Sequence, residues 1–262
     1  PRLSDTAKIL YTLYLGLTVA ETIALRIAGM PWFDAITHAF TTLSTGGFSI
    51  KNASIAAYNS PAIEWIIIVF TVLASINFSL MFLAIRGQIR TVLKNEELRT
   101  FLLITVLAVA AVCANLMMQM GLPFSQAVRD AAFQVTTISS TTGYATRDFA
   151  LWPTFSQAIL VLLMLMGGCA GSTAGGTKVS RILLQLKCLK RELNRIVHPN
   201  RISVITMDEQ SVKEEAVTSA LVFQVAYLLV LIAGALVVAL DGMGITESLS
   251  ASLACISNIG PA

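Results

Sequence analysis

Ser140-Thr141-Thr142-Gly143-Tyr144 is the stretch on which the reading of this chain turns. Its pattern stands also at Ser44-Thr45-Gly46-Gly47-Phe48 and at Ser257-Asn258-Ile259-Gly260-Pro261. With Gly47, Gly143 and Gly260 aligned, each glycine has a serine three positions before it: Ser44, Ser140 and Ser257. Two positions before stands Thr45, Thr141 or Asn258, and thirteen before stands an acid, Asp34, Asp130 or Glu247. One copy alone would read as a helix-ending glycine turn. Three copies in one register read as an internal repeat, one element used three times.

The surroundings of the loops are apolar. Of 262 residues, 55% are hydrophobic and 13% charged, with mean hydropathy +0.74. Soluble domains carry about 25% charged residues, so this is the composition of a membrane protein. Cys113, Cys169, Cys188 and Cys255 form no C-x-x-C pair, which argues against a zinc site or a disulfide framework. No catalytic constellation stands out, so neither an enzyme nor a nucleic-acid partner is expected.

The chain divides around the loops in a recurring order. Ile9 to Ile27 is long enough to span a bilayer, Phe33 to Leu43 is a half-length helix, and the first loop follows. Ala62 to Ile85 reads as a second full span, closed by Arg86, Arg90 and Lys94. Phe101 to Met120 is the next span, Pro123 to Ile138 the next half-helix, and a helix starting at Pro153 descends after the second loop. A charged segment from Lys178 to Lys213 leads to the span Ala216 to Leu240, a short helix and the third loop. The expected fold is therefore an all-α membrane protein of span, half-helix, loop and span units around a central pore. The units are 1–98, 99–213 and a truncated 214–262. Half-helices and loops at membrane depth must be buried in protein or line water, because their backbone groups cannot face lipid. Small Thr/Ser-Gly stretches there suggest backbone carbonyls turned toward an ion.

The descending helix from Pro153 is abnormal. Its 14 steps to Gly167 cover about 21 Å, against about 30 Å of bilayer core. Five glycines lie between Gly167 and Gly176, too many for a regular helix. Gly167, Gly168, Gly171, Ser172, Thr173, Gly175, Gly176 and Lys178 are thus expected in a loop below the filter, in the water path. Such an interruption points to an ion site or gate. Alanine at Gly175 and Gly176 is expected to stiffen this loop and slow opening. A nucleotide-binding reading fails, because Thr177 and Lys178 stand in the wrong order for a phosphate loop. A small-residue helix-packing face remains an alternative.

Charge sets the orientation. Fourteen of the eighteen Lys and Arg residues fall on one side of the proposed spans. The positive-inside rule puts that side in the cytosol and the glycine loops outside. Asp34, Asp130 and Glu247 are expected at half-helix N-termini, where an acid complements the dipole. His38 is expected to be packed or hydrogen-bonded, and His198 on the surface. Glu21 and Glu64 are the acids within or at the edge of spans.

STGGF at 44–48, STTGY at 140–144, SNIGP at 257–261, GGCAGSTAGG at 167–176 and RELNRIVHPN at 191–200 together resemble the Trk/Ktr superfamily of K⁺ transporters, closest to its TrkH-like membrane subunits. The resemblance implies four such units around one pore, of which this chain would supply the second, the third and most of the fourth. It implies K⁺ held by backbone carbonyls of Thr45, Gly46, Gly47, Thr141, Thr142, Gly143, Asn258, Ile259 and Gly260, with the loop in the third unit as an intramembrane gate. It also implies a homodimer in the bacterial inner membrane with a cytosolic nucleotide-binding regulatory subunit, and K⁺ as the transported ion with no cofactor. The second glycine of a K⁺-channel filter is absent: Phe48-Ser49, Tyr144-Ala145 and Pro261-Ala262 follow the shared glycine. Weaker K⁺/Na⁺ discrimination is expected from that. The alternative is a symporter coupling K⁺ to Na⁺ or H⁺, which would want a membrane-buried acid on the path. A scaffold without transport leaves the threefold register unexplained.

Overall fold

The computed structural model describes residues 3–198 and 204–260. The chain is predominantly helical. In order it runs α1 (Leu3–Ile27), α2 (Trp32–Leu43), α3 (Pro61–Ala74), α4 (Phe78–Ile85), α5 (Ile89–Lys94), α6 (Glu96–Met120), α7 (Phe124–Ser139), α8 (Thr154–Met166) and α9 (Val179–Val197). A two-stranded antiparallel hairpin, β1 (Thr206–Met207) and β2 (Gln210–Ser211), precedes α10 (Glu214–Ala239) and α11 (Ile245–Ile256). Among the described helices, α1, α6 and α10 are long and apolar enough to cross a membrane. Their outward faces stay apolar: Leu15, Val19, Leu103, Val106, Leu107, Val222, Val225 and Leu229 are all exposed. Apolar area that continuous fits lipid better than water.

Local signals place the boundaries. Pro31, Pro123 and Pro153 precede α2, α7 and α8, where a fixed φ and a missing N–H cost nothing. Asn95 caps α6 by accepting from the Leu98 amide at 2.9 Å, and Gly121 ends it in the left-handed region at φ 64°. α7 is the buried centre: every residue from Asp130 to Ser139 is buried. On one side it packs with α6, α8 and α11 through Phe101, Val112, Leu116, Leu160 and Leu253. On the other, Phe133 meets Leu25, Ile63 and Ile67 of α1 and α3.

Three expectations need correction. Ala62 to Ile85 is not one continuous helix: α3 and α4 meet at a bend of 100°. The carbonyls at the break are taken by another segment, since Ser75 O accepts from the Cys169 amide at 3.0 Å and Ala74 O from Thr173 at 3.3 Å. Asn77 then caps a new helix by accepting from Ser79 N at 2.8 Å. Nor is the stretch from Lys178 to Lys213 only a charged connector, because it contains α9 and the hairpin. Finally, Asp130 is not at an N-terminus. α7 starts at Phe124, a turn and a half earlier, whereas Asp34 and Glu247 do lie in first turns.

Candidate functional site

The three glycine loops share one backbone pattern. Thr45, Thr141 and Asn258 adopt φ of 53°, 59° and 58°, in the left-handed region, and Gly47, Gly143 and Gly260 follow at 65°, 81° and 99°. Each loop folds back onto its half-helix. The Gly46 amide donates to Thr41 O at 2.8 Å, Thr142 to Thr137 O at 2.9 Å, and Ile259 to Ala254 O at 2.9 Å. Thr41 Oγ1 then donates to Phe48 O at 2.9 Å, and Thr137 Oγ1 to Tyr144 O at 3.2 Å. Ala254 replaces that threonine in the third loop and has no such donor. With the amides satisfied, the carbonyls of Thr45, Gly46, Thr141, Thr142, Asn258 and Ile259 accept no hydrogen bond from a described residue. A carbonyl left free in this way is an available acceptor or cation ligand.

The loops converge. Thr45, Gly46, Gly47, Thr141, Gly143, Asn258, Ile259 and Gly260 line one cavity of about 640 Å³. Thr142 lies behind the wall, fully buried, with its Oγ1 2.7 Å from Ser140 Oγ. Pro261 and Ala262 lie outside the described residues. Neighbouring loops approach closely: a Cβ on Gly47 would fall 1.7 Å from the Thr142 carbonyl oxygen. Tyr144 is buried between loops, its hydroxyl 2.6 Å from Thr41 Oγ1 and donating to His38 O at 3.1 Å. His38, expected to be packed, is fully buried, with Nδ1 2.7 Å from Asp34 O and Nε2 3.0 Å from Ser49 Oγ.

Residues 167–178 form an irregular loop directly against the glycine loops. α8 ends at Met166, and no helix resumes until Val179. Only Thr173 and Gly175 of the expected residues reach the cavity. Thr45 Oγ1 donates to Thr173 O at 2.9 Å, and the Gly175 amide donates to Thr141 Oγ1 at 2.5 Å. Gly175 also touches the third loop, for a Cβ there would sit 2.6 Å from Ser257 O. Gly167, Gly168 and Gly176 close the base: a Cβ on Gly167 would meet Gly175 O at 2.4 Å, one on Gly168 the Ala174 side chain at 2.6 Å. Gly171 and Ser172 lie against the α3–α4 break, where Gly171 O accepts from Phe78 N at 3.1 Å. Lys178 does not stand free at a mouth, because its Nζ donates back to Ala174 O.

This contact gives a second expectation for alanine at Gly175: its Cβ would fall 2.6 Å from Ser257 O and is expected to displace the loop and break the Gly175–Thr141 hydrogen bond. That bond contributes about 1 kcal/mol, so Gly175→Ala is expected to raise ⁸⁶Rb⁺ flux about fivefold in liposomes holding the full-length protein. Flux below that of the parent would show that the contact does not hold the loop shut.

Sequence reasoning missed two sets of residues. Lys51 and Arg147 stand four residues after Gly47 and Gly143 and pair with the acids thirteen before them. Lys51 Nζ lies 3.9 Å from Asp34 Oδ2, and Arg147 Nε 3.4 Å from Asp130 Oδ2. These pairs join the segments leaving the first and second loops to their half-helices, and the equal spacing was the available signal. Glu97 was also missed. It looks like an N-terminal helix acid, yet it is buried and bonded to the glycine-rich loop.

Comparison with known proteins gives a consistent result. A family model described as "TrkH: Cation transport protein" matches residues 1–262. The Trk system potassium uptake protein TrkH of Salmonella typhimurium is 36% identical over 264 residues, covering 100% of this chain and 54% of that protein. Its counterpart in Vibrio parahaemolyticus is 39% identical, with 100% and 55% covered. The crystal structure of the potassium transporter TrkH from Vibrio parahaemolyticus superposes with a TM-score of 0.93 at 38% identity, over 100% of this chain and 57% of that one. The chain thus spans about half the length of the curated relatives it matches.

Proposed function

The chain belongs to the TrkH family of cation transport proteins, and on that premise we propose that it is the pore-forming part of the membrane subunit of a K⁺ uptake system. The observation that carries this is the convergence of three glycine loops, each with unsatisfied carbonyls, on one cavity. Dehydrated K⁺ binds there between carbonyls of Thr45–Gly47, Thr141–Gly143 and Asn258–Gly260, and the half-helices aim their negative ends at it. The units are 1–98, 99–213 and 214–262, each a span, a half-helix and a loop, the first two closed by a further span or broken helix. Residues 167–178 are the gate, because they lie against all three loops. The glycine loops face outward and the basic segments face the cytosol of a bacterial inner membrane.

The relatives are named as parts of a Trk system, which supports a membrane subunit that works with other components; the homodimer and the cytosolic nucleotide-binding subunit are part of the proposal. The basic face of α9 is the surface for that subunit. Lys187 and Arg191 are already paired with Glu96 and Glu214, and Arg195 lies 3.9 Å from Glu192, so Lys190 is the first cation to neutralise in a pull-down. A second reading, symport with Na⁺ or H⁺, draws on Glu21. It is fully buried in α1, and neither carboxylate oxygen has a hydrogen-bond partner among the described residues.

The test is uptake by liposomes holding the full-length protein. ⁸⁶Rb⁺ entry down a K⁺ gradient, competed by K⁺ and not by equal Na⁺, is the expected result. Entry that stalls without a Na⁺ or pH gradient would favour the symport reading, and no cation entry would overturn both.

A further inference from the structure

Three consecutive residues at the start of α6 face different partners. Asn95 Nδ2 donates to Asp208 Oδ2 at 2.7 Å, and the Glu96 amide donates to Asp208 Oδ1 at 2.7 Å. The Glu96 carboxylate pairs with Lys187, which also donates to Thr206 O at 2.7 Å. Glu97 turns inward and is 5% exposed. Its Oε1 accepts from the Ala170 amide at 2.6 Å and from the Ser180 amide at 3.0 Å.

Those two amides flank the greater part of the glycine-rich loop, Ala170 near its start and Ser180 in the first turn of α9 just after it. One carboxylate oxygen therefore ties both ends to the first turn of α6, through charge-assisted bonds in a water-poor site. Nearby, the Val179 amide donates to Gly168 O at 3.1 Å and closes the same base. Between the two tied amides lies the tip that carries Thr173 and Gly175, bonded in turn to Ala74, Thr45 and Thr141. Asp208 lies in the hairpin turn at φ 52°, and both its oxygens are bonded to the N-terminus of α6. An anion is favoured there by the free amides and the positive end of the helix dipole.

We propose that Glu97 is the positioning residue that latches the loop beneath the glycine loops, and that the hairpin at residues 206–211, through Asp208, sets where the latch stands. A displacement of the hairpin on the cytosolic side shifts the first turn of α6, and Glu97 carries that shift to both ends of the loop. The link is short: two hydrogen bonds, one helical turn, two hydrogen bonds. Its effect on flux rests on the reading of residues 167–178 as a gate; the latch is measured independently of flux.

Cys169 lies in the loop and is fully buried, so its reaction with methyl methanethiosulfonate reports loop release. The rate is read by peptide mass spectrometry on the full-length protein in liposomes, with ⁸⁶Rb⁺ flux measured in parallel. Glu97→Ala is expected to speed Cys169 modification about tenfold, the equivalent of one charge-assisted hydrogen bond. Glu97→Gln keeps the accepting oxygen and restores most of the protection, whereas Glu97→Leu, of similar size but with no acceptor, does not. Protection by leucine equal to that by glutamine would make the role space-filling and overturn the latch. Asp208→Ala is expected to speed modification about threefold on its own and to add nothing in the Glu97→Ala background, because interacting sites are non-additive. An unchanged Cys169 rate in Glu97→Ala overturns the latch, and multiplying effects in the double variant overturn the link to the hairpin. Should Glu97→Ala fail to fold, Glu97→Leu, which also lacks the accepting oxygen, takes its place alone and with Asp208→Ala. Faster modification with unchanged flux retains the latch and removes the gate.

Discussion

A full-length protein lacking residues 171–176 conducts ⁸⁶Rb⁺ at least about tenfold faster than the parent, while its Rb⁺/Na⁺ flux ratio stays close to the original. The loop touches all three glycine loops, by Thr45–Thr173, by Gly175–Thr141 and by van der Waals contact with Ser257. If the loop is the gate proposed above, two such bonds at about 1 kcal/mol each favour its seated position by a factor of ten or more. The deletion closes without stretching the chain, because Glu97 and the Gly168–Val179 bond already hold the ends together. Selectivity survives because each glycine loop is fastened to its own half-helix by backbone bonds that the deletion leaves alone. Flux and selectivity are measured in liposomes, with folding checked by gel filtration. A folded deletion with unchanged or slower flux would make the loop a packing element.

The second large effect is expected at Gly47. Gly47→Ser places a Cβ 1.7 Å from the Thr142 carbonyl oxygen and 2.8 Å from its carbon. Neither atom is a flexible side-chain end, so the first and second loops must separate. The φ of 65° adds strain of about 1 kcal/mol for any L side chain. Moved carbonyls no longer match a dehydrated ion, and the expected loss in K⁺ over Na⁺ flux ratio is about a hundredfold, near 3 kcal/mol. Gly260→Ser is expected to be milder, since among the described residues nothing stands within 4 Å of its Cβ and the φ of 99° is what opposes it. The order Gly47 worse than Gly260 is the informative result. Equal effects would mean that backbone angle alone matters, and unchanged ratios at both would remove the loops from selectivity.

The course of the chain was legible because its signals are local. Hydrophobic length marks α1, α6 and α10, proline marks the starts of α2, α7 and α8, and glycine content forbids a helix after Met166. The threefold register also told which residues act together, since equal spacing from Gly47, Gly143 and Gly260 puts equivalent atoms at equivalent places on three half-helices. What no local signal carried was the meeting of distant segments. Ala62 to Ile85 is apolar throughout most of its length, and its 100° bend exists because amides of residues 169 and 173 take the carbonyls at its centre. Glu97 resembles any acid in a first helical turn until its partners at Ala170 and Ser180 are seen. Gly175 appears flexible in sequence and proves to be a contact, because Ser257 lies where its side chain would be. Hydrophobic length, proline and glycine act through the chain's own backbone and are set by sequence alone. Which loop seats against which carbonyl depends on how separate helices pack, and only the tertiary structure decides it.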